Sequence, residues 1–219
     1  MSRECRSETG CPESESIVPD QAAWDPWRPD EIARRLAGVT APWYVAAGWS
    51  IDLFLGEERR AHDDLEIAAP HGRFGEIAAA LPDLEFFVVG DGLAWPLADA
   101  GDQVELHHQT WARETATGRW RLDVFREPGD GDGWVYRRDP RIRLPYDRVI
   151  ARTVTGIPYC RPEIALLFKA AAARPKDEAD FAAALPGLDP EARRWLAEAL
   201  ALVSPGHPWG DVLASGDKG

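Results

Sequence analysis

Asp64 and Glu66, in the run Asp63-Asp64-Leu65-Glu66-Ile67, are the residues of this chain best spaced to do chemistry. In an extended strand, side chains two apart share a face. Leu65 and Ile67 would then enter a core while the two acids stand together. Like charges that close repel, and folding alone has no use for the pairing. A divalent cation does, and hard Mg²⁺ prefers carboxylate oxygen. Two exposed acids on the polar face of an amphipathic strand are the plainer reading of an isolated Asp-x-Glu. Asp63 should point the other way and reads as the residue that opens the strand.

The pair does not stand alone. Upstream lies Ala47-Gly48-Trp49-Ser50-Ile51-Asp52-Leu53-Phe54-Leu55-Gly56, and directly before the acids comes Arg60-Ala61-His62. Together these stretches resemble the nucleotidyltransferase superfamily, in which a Gly-Gly or Gly-Ser turn and a short helix precede an Asp-x-Asp/Glu pair on a strand. Within it they are most similar to the aminoglycoside 2''-adenylyltransferase-like and lincosamide nucleotidyltransferase-like proteins. The resemblance is strong over residues 41–70, weaker to about residue 185 and absent at both ends.

The resemblance implies a mixed α/β fold with flanking helices and a C-terminal helical segment. It implies transfer of a nucleoside monophosphate, AMP from ATP, to a hydroxyl of a small molecule such as an aminoglycoside-like antibiotic. Two Mg²⁺ ions would be held by Asp64, Glu66 and a third acid that can also act as base. Asp123, in Trp120-Arg121-Leu122-Asp123-Val124-Phe125, fits that third position, and Glu105, in Val104-Glu105-Leu106, is its rival. Gly48, Trp49 and Ser50 would form the turn against the nucleotide phosphates, where a glycine lets the backbone approach. Arg60 would neutralise triphosphate charge, and His62 would orient phosphate or hold the turn. Lys169 and Lys176, two of only three lysines, would reach the triphosphate; a helix-start motif explains Lys176 equally well.

The sequence departs from the family at Ala47, where the first glycine of the turn usually stands. Tyr44-Val45-Ala46-Ala47 reads as strand, so Ala47 is expected at negative φ with the turn beginning at Gly48. Because of Ala47, a non-catalytic nucleotide-binding relative stays open as an alternative. A toxin-type enzyme acting on tRNA or protein is another.

Composition narrows these. The 219 residues are 45% hydrophobic, enough for a core, and carry a net charge of −12. Nucleic-acid binding needs a basic surface, so no nucleic-acid partner is expected. A cationic acceptor is compatible with the acidity, as is plain solubility. No apolar run is long enough to cross a bilayer and the N-terminus has no signal-like apolar stretch, so a cytoplasmic location is the expectation. Cys5, Cys11 and Cys160 read as free thiols, and His107-His108 lacks the spacing of a zinc site. The basic stretch from Arg137 to Arg148 reads as a solvated hairpin.

The elements that must position these groups follow from periodicity. Residues 1–26 read as a disordered tail, 27–160 as the catalytic domain, 161–204 as a helical segment and 205–219 as a flexible tail. Strands are expected at 43–46, 65–68, 85–89, 93–97, 103–106 and 120–125, with a hairpin from 134–137 to 142–144. Helices are expected at 31–37, 49–55, 73–81, 163–173, 176–185 and 190–203.

Overall fold

Alternate residues of the strands around the acidic pair divide between two cores. Val45, Ile67 and Val124 enter one core with Leu65, Phe74 and Ile77. Tyr44 and Ala68 enter the other, built with Ile164, Leu167, Phe181 and Leu196, and Phe125 packs against it. The computed structural model describes residues 15–130 and 133–215. Its first half comprises α1 (Pro29–Arg35), β1 (Tyr44–Val45), α2 (Ala47–Leu55), β2 (Glu66–Pro70), α3 (Phe74–Ala80), β3 (Leu84–Gly90), β4 (Leu93–Pro96), α4 (Gln103–Leu106), β5 (Gln109–Glu114) and β6 (Trp120–Glu127). Then come β7 (Gly129–Asp130), β8 (Gly133–Val135), β9 (Arg143–Pro145), α5 (Tyr146–Val149), β10 (Ile150–Arg152) and β11 (Pro158–Cys160). The helices α6 (Pro162–Ala170), α7 (Pro175–Ala184), α8 (Pro190–Val203) and α9 (Pro208–Ser215) end the chain.

The large sheet runs β10-β11-β1-β2-β6-β5-β3-β4 and is mixed: β1 pairs parallel with β11 and β2 parallel with β6. Helices α1 and α3 cover one face, where Ile32, Leu36, Phe74 and Ile77 are buried. Helices α6 to α9 and the small β7-β8-β9 sheet supply the core on the other. No helix among the described residues is long and apolar enough to cross a membrane.

The expected α/β layering is present, with four local corrections. Residues 103–106 form the short helix α4 rather than a strand. Residues 15–26 of the expected disordered tail are placed: Ile17 bridges to Ala94 and Trp24 to Trp120. Residues 1–14 lie outside the described part. The expected flexible end contains α9, whose Trp209 ring stacks on Phe181 at 4.2 Å. The fourth correction concerns Ala47, which opens α2 at φ 49°, in the left-handed region. The turn therefore starts one residue before Gly48, with Ala46 extended at φ −113°.

A buried charge network joins the helical segment to the sheet. His62 Nε2 lies 2.7 Å from Asp52 Oδ2, and Arg59 reaches both Asp52 Oδ1 (3.3 Å) and Asp180 Oδ1 (2.6 Å). Lys169 Nζ then meets Asp180 Oδ2 at 2.8 Å and Asp177 Oδ1 at 3.3 Å, and Arg174 Nε binds Asp177 Oδ2 at 2.8 Å. With Arg60 Nη2 also 3.9 Å from Asp180 Oδ2, three carboxylates thus answer four cations across α2, the following loop, α6 and α7. Removing one partner from such a set leaves a buried charge uncompensated, at a cost of about 3–5 kcal/mol. Asp180→Asn is expected to destabilise the protein by roughly that amount, read as a lower urea midpoint with unchanged slope. A midpoint equal to wild type would show that Arg59 and Lys169 find other partners.

An alanine at positive φ is strained by about 1–2 kcal/mol, and replacing it with glycine costs about 0.4–1 kcal/mol through the freer unfolded chain. Ala47→Gly should therefore raise stability by up to about 1.6 kcal/mol in the same titration. A loss would mean that packing of the Ala47 methyl outweighs its backbone strain.

Candidate active site

Glu66 and Asp123 are direct partners in the parallel β2–β6 ladder, so their side chains leave the sheet on one face as neighbours. Asp64 lies two residues before Glu66, just ahead of the strand, and the ladder reaches it through the Asp123 N–H bond to the Leu65 carbonyl at 2.9 Å. The i, i+2 relation read from the sequence thus brings all three acids together on one face of the sheet, at its two central strands. Glu105 is elsewhere: it lies on α4, its side chain 78% exposed, 3.6 Å from His71.

Burial dominates the electrostatics of the three acids. It raises Glu66 to about 8, with the charges of Asp64 and Asp123 adding to the shift. Burial raises Asp123 to about 7, opposed by the Gln109 hydrogen bond and reinforced by Asp64. Burial also raises Asp64, and the nearby Lys176 charge is the strongest influence against it. Gln109 Nε2 donates to Asp123 Oδ2 at 2.7 Å, while Asp123 Oδ1 is buried with no partner. Among the described residues no three His, Cys, Asp or Glu side chains are drawn together tightly enough to hold an ion unaided. Mg²⁺ is commonly bound by one or two carboxylates, with water and substrate phosphate completing its octahedron. The all-oxygen donor set and the orphaned Asp123 oxygen fit such an ion.

The residues expected around the phosphates are distributed differently. Ser50 is fully buried and its hydroxyl donates to the Ala47 carbonyl at 2.8 Å, so it braces the turn from inside. Trp49 is buried under His62, the two rings stacked at 4.2 Å. A methyl group on Gly48 would stand 2.3 Å from Arg60 Nη2 and 2.9 Å from His62 Cε1. Glycine is needed there so that these side chains can close over the turn, whereas the left-handed φ falls on Ala47. His62 is held by Asp52 and serves as a structural hydrogen-bonder. Lys169 is only 7% exposed and committed to Asp177 and Asp180. Lys176 is exposed at the start of α7, with its charge bearing on Asp64 and Glu66.

Several participants carried no signal in the sequence. Arg141, Arg143 and Arg148 are exposed as a solvated stretch would have them, but Arg137 is half-buried 4.6 Å from the Phe168 ring and Arg138, itself exposed, lies 5.4 Å from it. With Lys169 and Arg174, Arg137 and Arg138 line a cavity of about 240 Å³ that also reaches Glu66 and Ala47. Glu127, buried in the same cavity, accepts hydrogen bonds from Tyr44 and Trp134. Gln109 and Trp111, on β5, border Asp123 across the ladder. Only the alternation of β6 hinted at Glu127, two turns of the pleat beyond Asp123; the others depend on contacts distant in sequence.

The raised acids make a pH test. A carboxyl whose folded pKa lies above its unfolded value binds its proton more tightly in the folded chain. Stability from Glu66 and Asp123 is therefore full at low pH and lost as pH rises from the ordinary carboxylate range through about 7 and 8. In magnesium-free buffer, the stability difference between Glu66→Gln and wild type should shift in favour of the mutant from about pH 5 to pH 8. Urea titrations across that range check it; a difference independent of pH would mean that Glu66 ionises freely.

The comparisons with known proteins bear on this arrangement. Residues 30–125 match the family model described as aminoglycoside-2''-adenylyltransferase. A 2''-aminoglycoside nucleotidyltransferase from Escherichia coli is 34% identical over 74 residues, 33% of this chain, and one from Klebsiella pneumoniae matches to the same extent. The chain spans 42% of the length of these relatives. The crystal structure of ANT(2'')-Ia in complex with adenylyl-2''-tobramycin superposes with a TM-score of 0.54, covering 79% of this chain and 95% of that one at 16% identity. The solution structure of the antibiotic-resistance factor ANT(2'')-Ia gives 0.51, covering 79% and 89%, also at 16%. At such identity the likeness shows the fold and not the chemistry. Residues 30–125 thus match the aminoglycoside-2''-adenylyltransferase family model, and the chain shares the mixed α/β fold of ANT(2'')-Ia.

Proposed function

We propose that this protein is a magnesium-dependent nucleotidyltransferase that moves AMP from ATP to a hydroxyl of a small cationic acceptor of the aminoglycoside type. The observation that carries the reading is the convergence of Asp64, Glu66 and Asp123 on one face at the middle of the sheet, within the stretch matched by the family. Asp64, Glu66 and Asp123 would hold Mg²⁺, which when bound activates the attacking oxygen and stabilises the departing pyrophosphate.

The chain's own groups supply position and charge. Lys176 and Arg60 lie at the rim, where triphosphate charge needs neutralising. The cavity beside Glu66 carries Arg137, Arg138 and Arg174, a cationic setting for phosphate. Asp123 keeps Oδ2 on Gln109 and would offer its unpartnered Oδ1 to the ion.

Labelled ATP and Mg²⁺, offered with aminoglycosides, bulk tRNA and lysate protein in parallel, test the reading: label should move to the aminoglycoside. Transfer to tRNA or protein instead would make this a macromolecular nucleotidyltransferase. Ala47 favours one second reading, a relative that binds nucleotide with little turnover, since a methyl group occupies the left-handed position of the turn. Absence of magnesium-dependent pyrophosphate release with every acceptor would select it. In the active protein, Asp123→Asn should lower kcat by about a thousandfold, while Glu105→Gln should leave it within about twofold, as befits an exposed side chain outside the site. The reverse ranking would remove Asp123 from the chemistry.

A further inference from the structure

The N-terminal segment ahead of the family match is fastened beside the carboxylates. Asp25 N–H donates to the Trp120 carbonyl at 3.0 Å and Trp27 N–H to the Arg121 carbonyl at 3.1 Å. Arg121 returns hydrogen bonds to the Asp25 carbonyl, at 2.7 Å, and to its carboxylate, and Arg119 reaches the Ala22 carbonyl at 3.2 Å. The segment thus straps the start of β6, two residues before Asp123. Its Trp24 ring meets Trp111 edge to face at 5.0 Å, and Trp111 is the ladder partner of Asp123.

Between this strap and residues 62–64 lies a cavity of about 620 Å³ lined by Gln21, Trp24, Asp63, Asp64 and Trp111 among others. That volume suits a ligand of a few rings. Among the described residues no lysine or arginine lines it, and its His62 is held by Asp52, whereas the cavity on the Glu66 side carries Arg137 and Arg138 beside the ion-paired Lys169 and Arg174. The carboxylates therefore stand between an acidic, aromatic cavity and a cationic one. A triphosphate is repelled from the first and attracted to the second; an ammonium-rich acceptor has the opposite preference, reinforced by indole faces.

We propose that the strap is the outer wall of the acceptor subsite, with Trp24 and Asp63 as its specificity-determining residues for a polycationic acceptor. This rests on the nucleotidyl-transfer reading and adds to it a segment outside the family match. The strap reaches the reacting region through Trp111, so Trp24 acts both as a contact surface and as the support that keeps Trp111 against Asp123.

The test uses the full chain with ATP, Mg²⁺ and tobramycin. Trp24→Ala should raise KM for tobramycin tenfold or more and leave KM for ATP within about twofold, and Trp24→Phe should recover most of the loss. Calorimetric titration of tobramycin and of ATP into each variant should show the same split. Equal weakening of both ligands, or unchanged tobramycin binding, overturns the inference. Should Trp24→Ala fail to fold, Asp63→Asn carries the test: Asp63 is exposed, and its tobramycin KM should rise severalfold with ATP unaffected. If the wild-type protein transfers nothing, the transfer reading fails, yet calorimetry still decides the subsite: tobramycin binding lost in Trp24→Ala supports it, and a wild-type protein that binds no tobramycin overturns it.

Discussion

Attraction between buried opposite charges holds the two halves of this protein in working relation. Asp52, Arg59, Asp180, Lys169, Asp177 and Arg174 alternate in sign from α2 to α7. Each member is costly to bury alone, and each is made tolerable by its neighbours. The position of Lys176 near Asp64 follows, because α7 is set by Asp177 and Asp180. So does the closure of Arg60 and His62 over Gly48, because the loop that carries them is tied by Arg59 and by Asp52. The apolar cores fix which faces meet, while the charges fix their register.

Against that ordered background the three acids are left in conflict. Glu66 and Asp123 share a rung of a parallel ladder, largely out of water, with Asp64 adjoining. Other buried acids in the chain have answering groups: Asp180 has Arg59 and Lys169, and Glu127 has Tyr44 and Trp134. Asp123 Oδ1 has none. A fold that pairs these other acids and leaves Asp123 Oδ1 without a hydrogen bond beside Glu66 concentrates its unmet demand where a cation would relieve it.

The acidic pair was legible because strand alternation is local: Leu65 and Ile67 declare the buried face, so Asp64 and Glu66 must share the other. Asp123 was legible in part, since its strand was clear but its neighbour was not; only sheet order sets it beside Glu66 and sends Glu105 to an exposed helix. The turn was misplaced by one residue because Ala47 looks like the end of a strand, and no local pattern announces a left-handed alanine. Arg137, Arg138 and the Arg59–Asp180 pair were illegible for a deeper reason. Whether a cation faces water or a cavity depends on what packs over it, and here that is a helix beginning at Pro162. The Trp24 strap was hidden by its polar, Pro-containing surroundings, which read as disorder until Trp120 and Trp111 supply it with partners.

The placement of β1 has a consequence for how the chain comes to be folded. β1 lies between β2 and β11, with Val45 beside Tyr159, so a central strand of the sheet waits for a partner synthesised long after it. Such distant pairing makes loop closure slow and late. During synthesis the stretch with the recognisable motif would emerge with one edge of β1 open and its acids uncovered, and it would close only when residues up to α7 leave the ribosome. Residues 30–125, the stretch that matches the family model, are therefore not a unit of folding, and excising them would yield an incomplete sheet with an unpaired edge inviting association.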